Sequence, residues 1–171
     1  VTPLADVATV LVSGARGAGK TTLLGALLDA RPAGERQAVL LTEAGEARLA
    51  PRASLTIVEA DPGCICCVGQ VSLRVALTRL LREARPERLY VELAEPAHLA
   101  ASLRTLTSPW LAPVLRIEAV IGVADASVTH RDEAFAAWLA PLTALRVRGD
   151  ADGTLTALVR QRRPDLALVA C

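Results

Sequence analysis

A glycine-rich octet, Gly14-Ala15-Arg16-Gly17-Ala18-Gly19-Lys20-Thr21, constrains this chain more than any other stretch. It satisfies G-x-x-x-x-G-K-[ST] at every fixed position. Val7-Ala8-Thr9-Val10-Leu11-Val12 before it is apolar and β-branched, as in a buried strand. Leu23-Leu24-Gly25-Ala26-Leu27-Leu28 after it reads as a helix that starts at the loop. Glycines let the backbone curl until several N–H groups face one anion, and the dipole of the following helix adds to the attraction. Lys20 can then reach the β- and γ-phosphates of a nucleoside triphosphate, and the Thr21 hydroxyl can bind Mg²⁺. Gly14, Ala15, Arg16, Gly17, Ala18, Gly19, Lys20, Thr21 and Thr22 are the expected nucleotide-binding residues. Arg16 either adds charge at the phosphates or points to solvent. The rival explanation is a chance match in a Gly- and Ala-rich sequence. The strand before and the helix after argue against it.

The second motif is Cys64-Ile65-Cys66-Cys67, between the turn residues Asp61-Pro62-Gly63 and Val68-Gly69-Gln70. Thiolates are the soft ligands that Zn²⁺ and Cu(I) favour. Cys64 and Cys66 can point the same way from an extended segment, and Cys67 needs a turn to join them. A closed structural zinc site has four protein ligands. Three thiols leave one position for water, a carboxylate, a histidine or a partner's ligand, which suits a metal that must be passed on. The alternative is a set of buried or redox-active thiols. Cys171, the last residue, reads as incidental.

Hydrophobic residues make up 52% of the 171 positions and aromatics only 2%. A chain of this length suits one domain, with a core of Ala, Val, Leu and Ile. Nineteen basic residues balance 18 acidic ones, so no broad basic surface for nucleic acid is indicated. Charges interrupt every apolar run before membrane-spanning length. The first residues carry no basic and apolar leader pattern. The clustered cysteines do not resemble a secreted disulfide framework, so a reducing, cytoplasmic setting is expected.

Strand-like and helical stretches alternate along the chain. Strands are expected at 7–12, 38–41, 55–58, 88–92, 119–123, 144–147 and 166–169. Helices are expected from 23, at 71–84, 97–106, 132–139 and 155–162. Val71, Val75, Leu77 and Leu81 are expected to share the apolar side of the helix over 71–84. Pro96 can open the next helix at its first position. The fold class is therefore α/β, a mostly parallel sheet with helices on both faces.

Loop, cysteines and element order together resemble the CobW-type GTPases, P-loop proteins related to the UreG and HypB metallochaperones. The resemblance covers most of the chain. The family's Walker A matches residues 14–21, and its C-x-C-C signature matches Gly63 to Cys67. Its Asn-Glu-x-Gly-Glu switch-I pattern resembles Thr42-Glu43-Ala44-Gly45-Glu46, with threonine for asparagine. Its Val-Val-Asp strand end resembles Gly122-Val123-Ala124-Asp125. The resemblance implies a single nucleotide-binding domain over 1–171, without the C-terminal domain many members carry. It implies hydrolysis of GTP, with ATP as the alternative, coupled to delivery of Zn²⁺ or Co²⁺ to a client metalloprotein. A homodimer is one assembly open to it; neither nucleic acid nor membrane is an expected partner. Lys20 and Glu92 would be the catalytic residues. Thr21 and Glu92 would hold Mg²⁺. Cys64, Cys66 and Cys67 would hold zinc, and Glu43 and Glu46 would complete or perturb that shell or remain solvated loop carboxylates.

The chain departs from the family pattern twice. The family's fourth strand ends in Glu-x-x-Gly, whereas this one runs Glu92-Leu93-Ala94-Glu95-Pro96 with no glycine. Switch II is thus shortened. The guanine motif Asn-Lys-x-Asp is replaced by Arg148-Gly149-Asp150-Ala151-Asp152, a stretch that also reads as a surface turn. A degenerate, non-hydrolysing metal-binding or metal-sensing module is therefore the alternative expectation. A P-loop kinase with incidental cysteines is a third, without a recognisable acceptor motif. His98 is expected on a helix surface, with an imidazole supplied to a metal or phosphate as the alternative, His130 in a loop or at a helix cap, and Trp110 and Trp138 in packing or at an interface.

Overall fold

The computed structural model describes residues 6–42, 49–60, 69–129 and 132–169, the side chains of 69–72 excepted. The apolar, β-branched runs form β1 (Val7–Gly14), β2 (Gln37–Leu41), β3 (Leu55–Glu59), β4 (Arg88–Leu93), β5 (Leu115–Asp125), β6 (Ala144–Arg148) and β7 (Ala167–Val169). Between them lie α1 (Lys20–Asp29), α2 (Gly69–Ala84), α3 (Leu99–Leu106), α4 (Glu133–Leu139) and α5 (Thr154–Arg162). The strands form one sheet in the order β3-β2-β4-β1-β5-β6-β7, and every pairing is parallel. The α/β class with a parallel sheet is as the alternation implies. Parallel strands bring all their C-terminal ends to one edge, where ligands of such sheets gather.

The central strands are buried along their whole length, so they read as continuous apolar runs. Successive residues still serve opposite faces. Val10, Val12, Val39, Leu41, Tyr90 and Val123 pack with Leu23, Leu24 and Leu28 of α1. Their neighbours Leu11, Leu40, Leu89, Val91 and Val120 pack with leucines of α2 and α3 and with Phe135 and Trp138 of α4. Tyr90 is the largest side chain fully buried.

Two expectations need correction. In α2 the buried stripe is Leu73, Leu77, Leu80 and Leu81, while Val75 is 62% exposed. Positions i, i+4, i+7 and i+8 share a helical face, and Val75 falls outside it. Strand β5 begins at Leu115, upstream of the apolar run that marks it in the sequence. Its first turn of pairing carries Arg116 and Glu118, which are polar because they meet other charges. Arg88, buried at the start of β4, donates to Glu118 and Glu35, and Arg116 donates to Glu118 as well. A buried guanidinium requires such partners.

These bonds hold the Glu118 carboxyl below its usual range: the Arg88 bond contributes most and the Arg116 bond next, against an opposing effect of burial. A depressed folded-state pKa means the stabilisation is complete above the unfolded value, about 4.3 for glutamate, and fades as pH falls through the lower folded value. Urea unfolding of wild type and Glu118→Gln should therefore show a gap at pH 7 that narrows as the solution is acidified below about pH 4. A gap that stays constant with pH contradicts the assignment. A second expectation concerns Gly25, inside α1, where an added Cβ meets nothing within 4 Å. Gly25→Ala should raise stability by about 0.5–1 kcal/mol, read as a higher urea midpoint at unchanged slope.

Candidate functional site: the phosphate-loop edge of the sheet

The octet forms the turn between β1 and α1. Gly17 and Gly19 adopt positive φ, 79° and 100°, which side chains other than glycine rarely tolerate. Gly19 is the residue that caps α1. Gly14 ends β1 against Val123 of β5, so closely that a Cβ there would run into the Val123 carbonyl. Successive N–H groups in such a turn form a concave nest for anions, at the positive end of the helix dipole.

Lys20 is only 5% exposed. Its ammonium Nζ donates to the carbonyls of Gly14 at 3.0 Å, Ala15 at 3.1 Å and Ala94 at 3.3 Å. Three donors meet three acceptors, as a buried ammonium needs. The third acceptor comes from beyond the end of β4, so the loop and β4 are tied together. The neighbouring Thr21 hydroxyl donates to the Glu92 carboxylate, 3.2 Å from Oε2. Glu92 is itself 6% exposed. A hydroxyl and a carboxylate side by side at a phosphate nest are the hard oxygen donors that suit Mg²⁺. Thr22 and Arg16 are exposed.

Ala94 is bound from two sides. While its carbonyl accepts from Lys20, its N–H donates to the Thr42 hydroxyl at 2.9 Å. The Thr42 N–H in turn donates to the Glu92 carbonyl, 3.1 Å away. Thr42 thus fastens the end of β2 to the end of β4. After Glu95 the chain enters a 3₁₀ turn, Pro96–His98, that leads into α3. His98 is half-buried there, and its Nδ1 has no hydrogen-bond partner among the described residues.

Two contacts were invisible in the sequence because their partners lie far apart along the chain. Arg148, ending β6, donates from Nη1 to the Ala18 carbonyl at 3.2 Å and lies over Gly19, where a Cβ would strike its guanidinium. Trp138 Nε1 donates to Ser13 Oγ at 2.9 Å, one residue before the loop. Trp138 is buried, as a packing role implies, whereas Trp110 is 76% exposed. The carboxylates that could stand in for the family's guanine-reading aspartate both brace α5. Asp150 accepts from the N–H groups of Leu155 and Thr156, and Asp152 from that of Thr154.

Glu43, Glu46, Cys64, Cys66, Cys67, His130 and Cys171 lie outside the described residues. Their flanks are placed, however. The Ala60 N–H donates to the Leu41 carbonyl, so the chain enters the cysteine stretch beside the end of β2. Among the described residues no cluster of three metal-ligating side chains occurs, and no helix is long and apolar enough to cross a membrane.

The Thr42 bond yields a prediction. Thr42→Val keeps the shape but leaves the Ala94 N–H unpaired, which should cost about 1–3 kcal/mol. Thr42→Ser should restore most of it. Equal urea midpoints for the valine and serine variants contradict this role.

Known proteins extend the picture. The family profile described as CobW/HypB/UreG, nucleotide-binding domain, matches residues 8–140. The zinc chaperone YeiR of Escherichia coli (strain K12) is 36% identical over 122 residues, covering 68% of this chain. The chain spans 37% of that relative's length. Among solved structures, Zn(II)-bound YjiA GTPase from E. coli superposes with a TM-score of 0.64 at 20% identity, over 97% of this chain and 57% of that one. HypB from Helicobacter pylori in complex with nickel gives 0.60 at 14% identity, over 98% and 79%. At these identities the superpositions speak for the fold. The profile match over most of the chain, on a parallel sheet that carries this loop, establishes that the chain belongs to the CobW/HypB/UreG family through its nucleotide-binding domain.

Proposed function

We propose that this chain is the nucleotide-binding part of a GTP-hydrolysing metallochaperone that carries zinc or a similar transition metal to a client protein. One observation carries the nucleotide half. Lys20, Thr21, Glu92 and Ala94 form one bonded unit at the anion nest, so phosphate contacts and the end of β4 cannot change independently. Gly14 to Thr22 hold the phosphates, with Lys20 as the principal charge. Thr21 and Glu92 hold Mg²⁺, which neutralises charge on the phosphate oxygens when bound. Cys64, Cys66 and Cys67 hold the cargo metal, with Glu43 as a further ligand. The metal half is supported by the zinc-chaperone relative and by the family's C-x-C-C signature. Coupling is supported by the strands that precede these motifs: β2 and β3 end at the same sheet edge as the phosphate loop. Proteins of this kind turn over slowly unless water is positioned, and among the described residues no side chain is an evident general base.

A second reading has its own observation. The Ala94 N–H, in the shortened segment after Glu92, is taken by Thr42. A backbone donor for the γ-phosphate is therefore not evident at this position, which favours a module that binds nucleotide and metal without hydrolysis. Guanine selectivity rests on the family alone, since Asp150 and Asp152 brace α5.

Calorimetric titration of Mg²⁺–GTP and, separately, Mg²⁺–ATP into zinc-loaded and zinc-free protein tests both readings. GTP is expected to bind more tightly than ATP, and zinc to change its affinity, with the reciprocal effect on zinc. Lys20→Ala should abolish triphosphate binding, and the triple Cys→Ser variant should lose zinc. Retained GTP affinity in Lys20→Ala removes the phosphate-loop assignment. Tight zinc binding by the triple variant removes the cysteine site. Absence of phosphate release at saturating GTP and ATP selects the non-hydrolysing reading.

A further inference from the structure

Behind the phosphate loop, between the 3₁₀ turn with α3 on one side and α4 on the other, lies a half-enclosed cavity of about 450 Å³. That volume lies within the range of small-molecule sites. Its walls are apolar: Leu99 from α3, Phe135 and Trp138 from α4, and Ala15 from the phosphate loop. The two aromatic rings are 5.7 Å apart and tilted by 37°, and both residues are buried. Two exposed carboxylates, Glu95 and Asp132, are the only charged side chains among the described residues that line it. Neither has a side-chain hydrogen bond or ion pair with any described residue, and Asp132 does not use its carboxylate to cap α4. An apolar chamber whose charged lining groups, among the described residues, are both carboxylates is complementary to an apolar body that ends in a positive charge.

We infer that this cavity is a binding site for a small organic cation, a compact ring or branched alkyl group bearing an ammonium or guanidinium. The apolar part is held against Phe135, Trp138 and Leu99, and the cation rests between Glu95 and Asp132. The site is separate from the anion nest and adjoins it through Ala15, whose carbonyl serves Lys20, and through Trp138, which donates to Ser13. The inference goes beyond the nucleotide-and-metal reading and does not depend on it.

The test uses nucleotide-free protein, so it fails or succeeds independently of triphosphate binding. Trp110 and Trp138 are the only tryptophans, and Trp110→Phe removes the exposed one, leaving Trp138 as reporter. Phenethylammonium, neutral 2-phenylethanol and anionic 3-phenylpropanoate are titrated against its emission. Phenethylammonium should give a saturable change, with affinity about fivefold tighter than the neutral alcohol, as two partly exposed ion pairs allow. 3-Phenylpropanoate should bind most weakly. Adding Glu95→Gln and Asp132→Asn should erase the advantage of the cation, while the ligand-free emission stays that of the parent and so reports an intact fold. No saturable change with any of the three overturns the site. Equal affinity for all three overturns its charge selectivity. A cation curve unaltered in the Glu95→Gln, Asp132→Asn protein places the cation elsewhere.

Discussion

One buried ammonium group organises the working edge of this domain. Lys20 would be costly to bury alone, because its charge loses hydration. It is tolerated because carbonyls from Gly14, Ala15 and Ala94 surround it. Two of those carbonyls come from the end of β1 and the turn after it, and the third from the segment that follows β4. The same lysine therefore closes the loop on itself and joins it to the neighbouring strand. Ala94 passes the connection on to Thr42 at the end of β2. Three adjacent strands are linked above the sheet by contacts that an arriving phosphate would have to share or replace.

The sheet makes this arrangement possible. Parallel pairing in the order β3-β2-β4-β1 puts the ends of four strands along one edge. The segments that carry the two metal-ligand candidates of the switch and the cysteine triad spring from β2 and β3. Strand order brings the end of β2 and the end of β3 to the same edge as the phosphate loop, although the motifs are separated in the chain. On the other flank, Arg148 from β6 and Trp138 from α4 reach the loop. The loop is braced from both sides, which limits it to the few conformations an anion nest requires.

Much of the fold was legible from residue pattern. Runs such as Ala38 to Leu41 and Arg88 to Glu92 fall within β2 and β4, because central parallel strands are buried on both faces and read as near-continuous apolar runs, with charges only where partners meet them. Boundaries were harder where charges enter a strand. Arg116 and Glu118 hid the first part of β5, since their polarity answers Arg88, a residue on another strand. Val75 misled the reading of α2, because a helical stripe admits more than one apolar choice until its partners are known. In the site, Gly14 to Thr21 and Glu92 could be named from spacing and resemblance. Ala94, Arg148 and Ser13 could not, as two of them act through backbone carbonyl or hydroxyl groups and the third through a partner 130 positions away.

The sequence by itself determined the α/β class and the phosphate-loop turn, and it sets three cysteines within four positions. Each of these depends on local chemistry: positive φ at Gly17 and Gly19, a helix start at Lys20, thiols in near succession. Only the tertiary structure decided what those parts do to one another. It gave the Lys20 ammonium its third carbonyl, took the Ala94 N–H for Thr42, and committed Asp150 to the start of α5. It also left a cavity between α3 and α4 with two carboxylates at its mouth. Such outcomes depend on which distant groups share a strand edge or a helix face. Long-range packing sets that, and the residues involved carry no mark of it in their order.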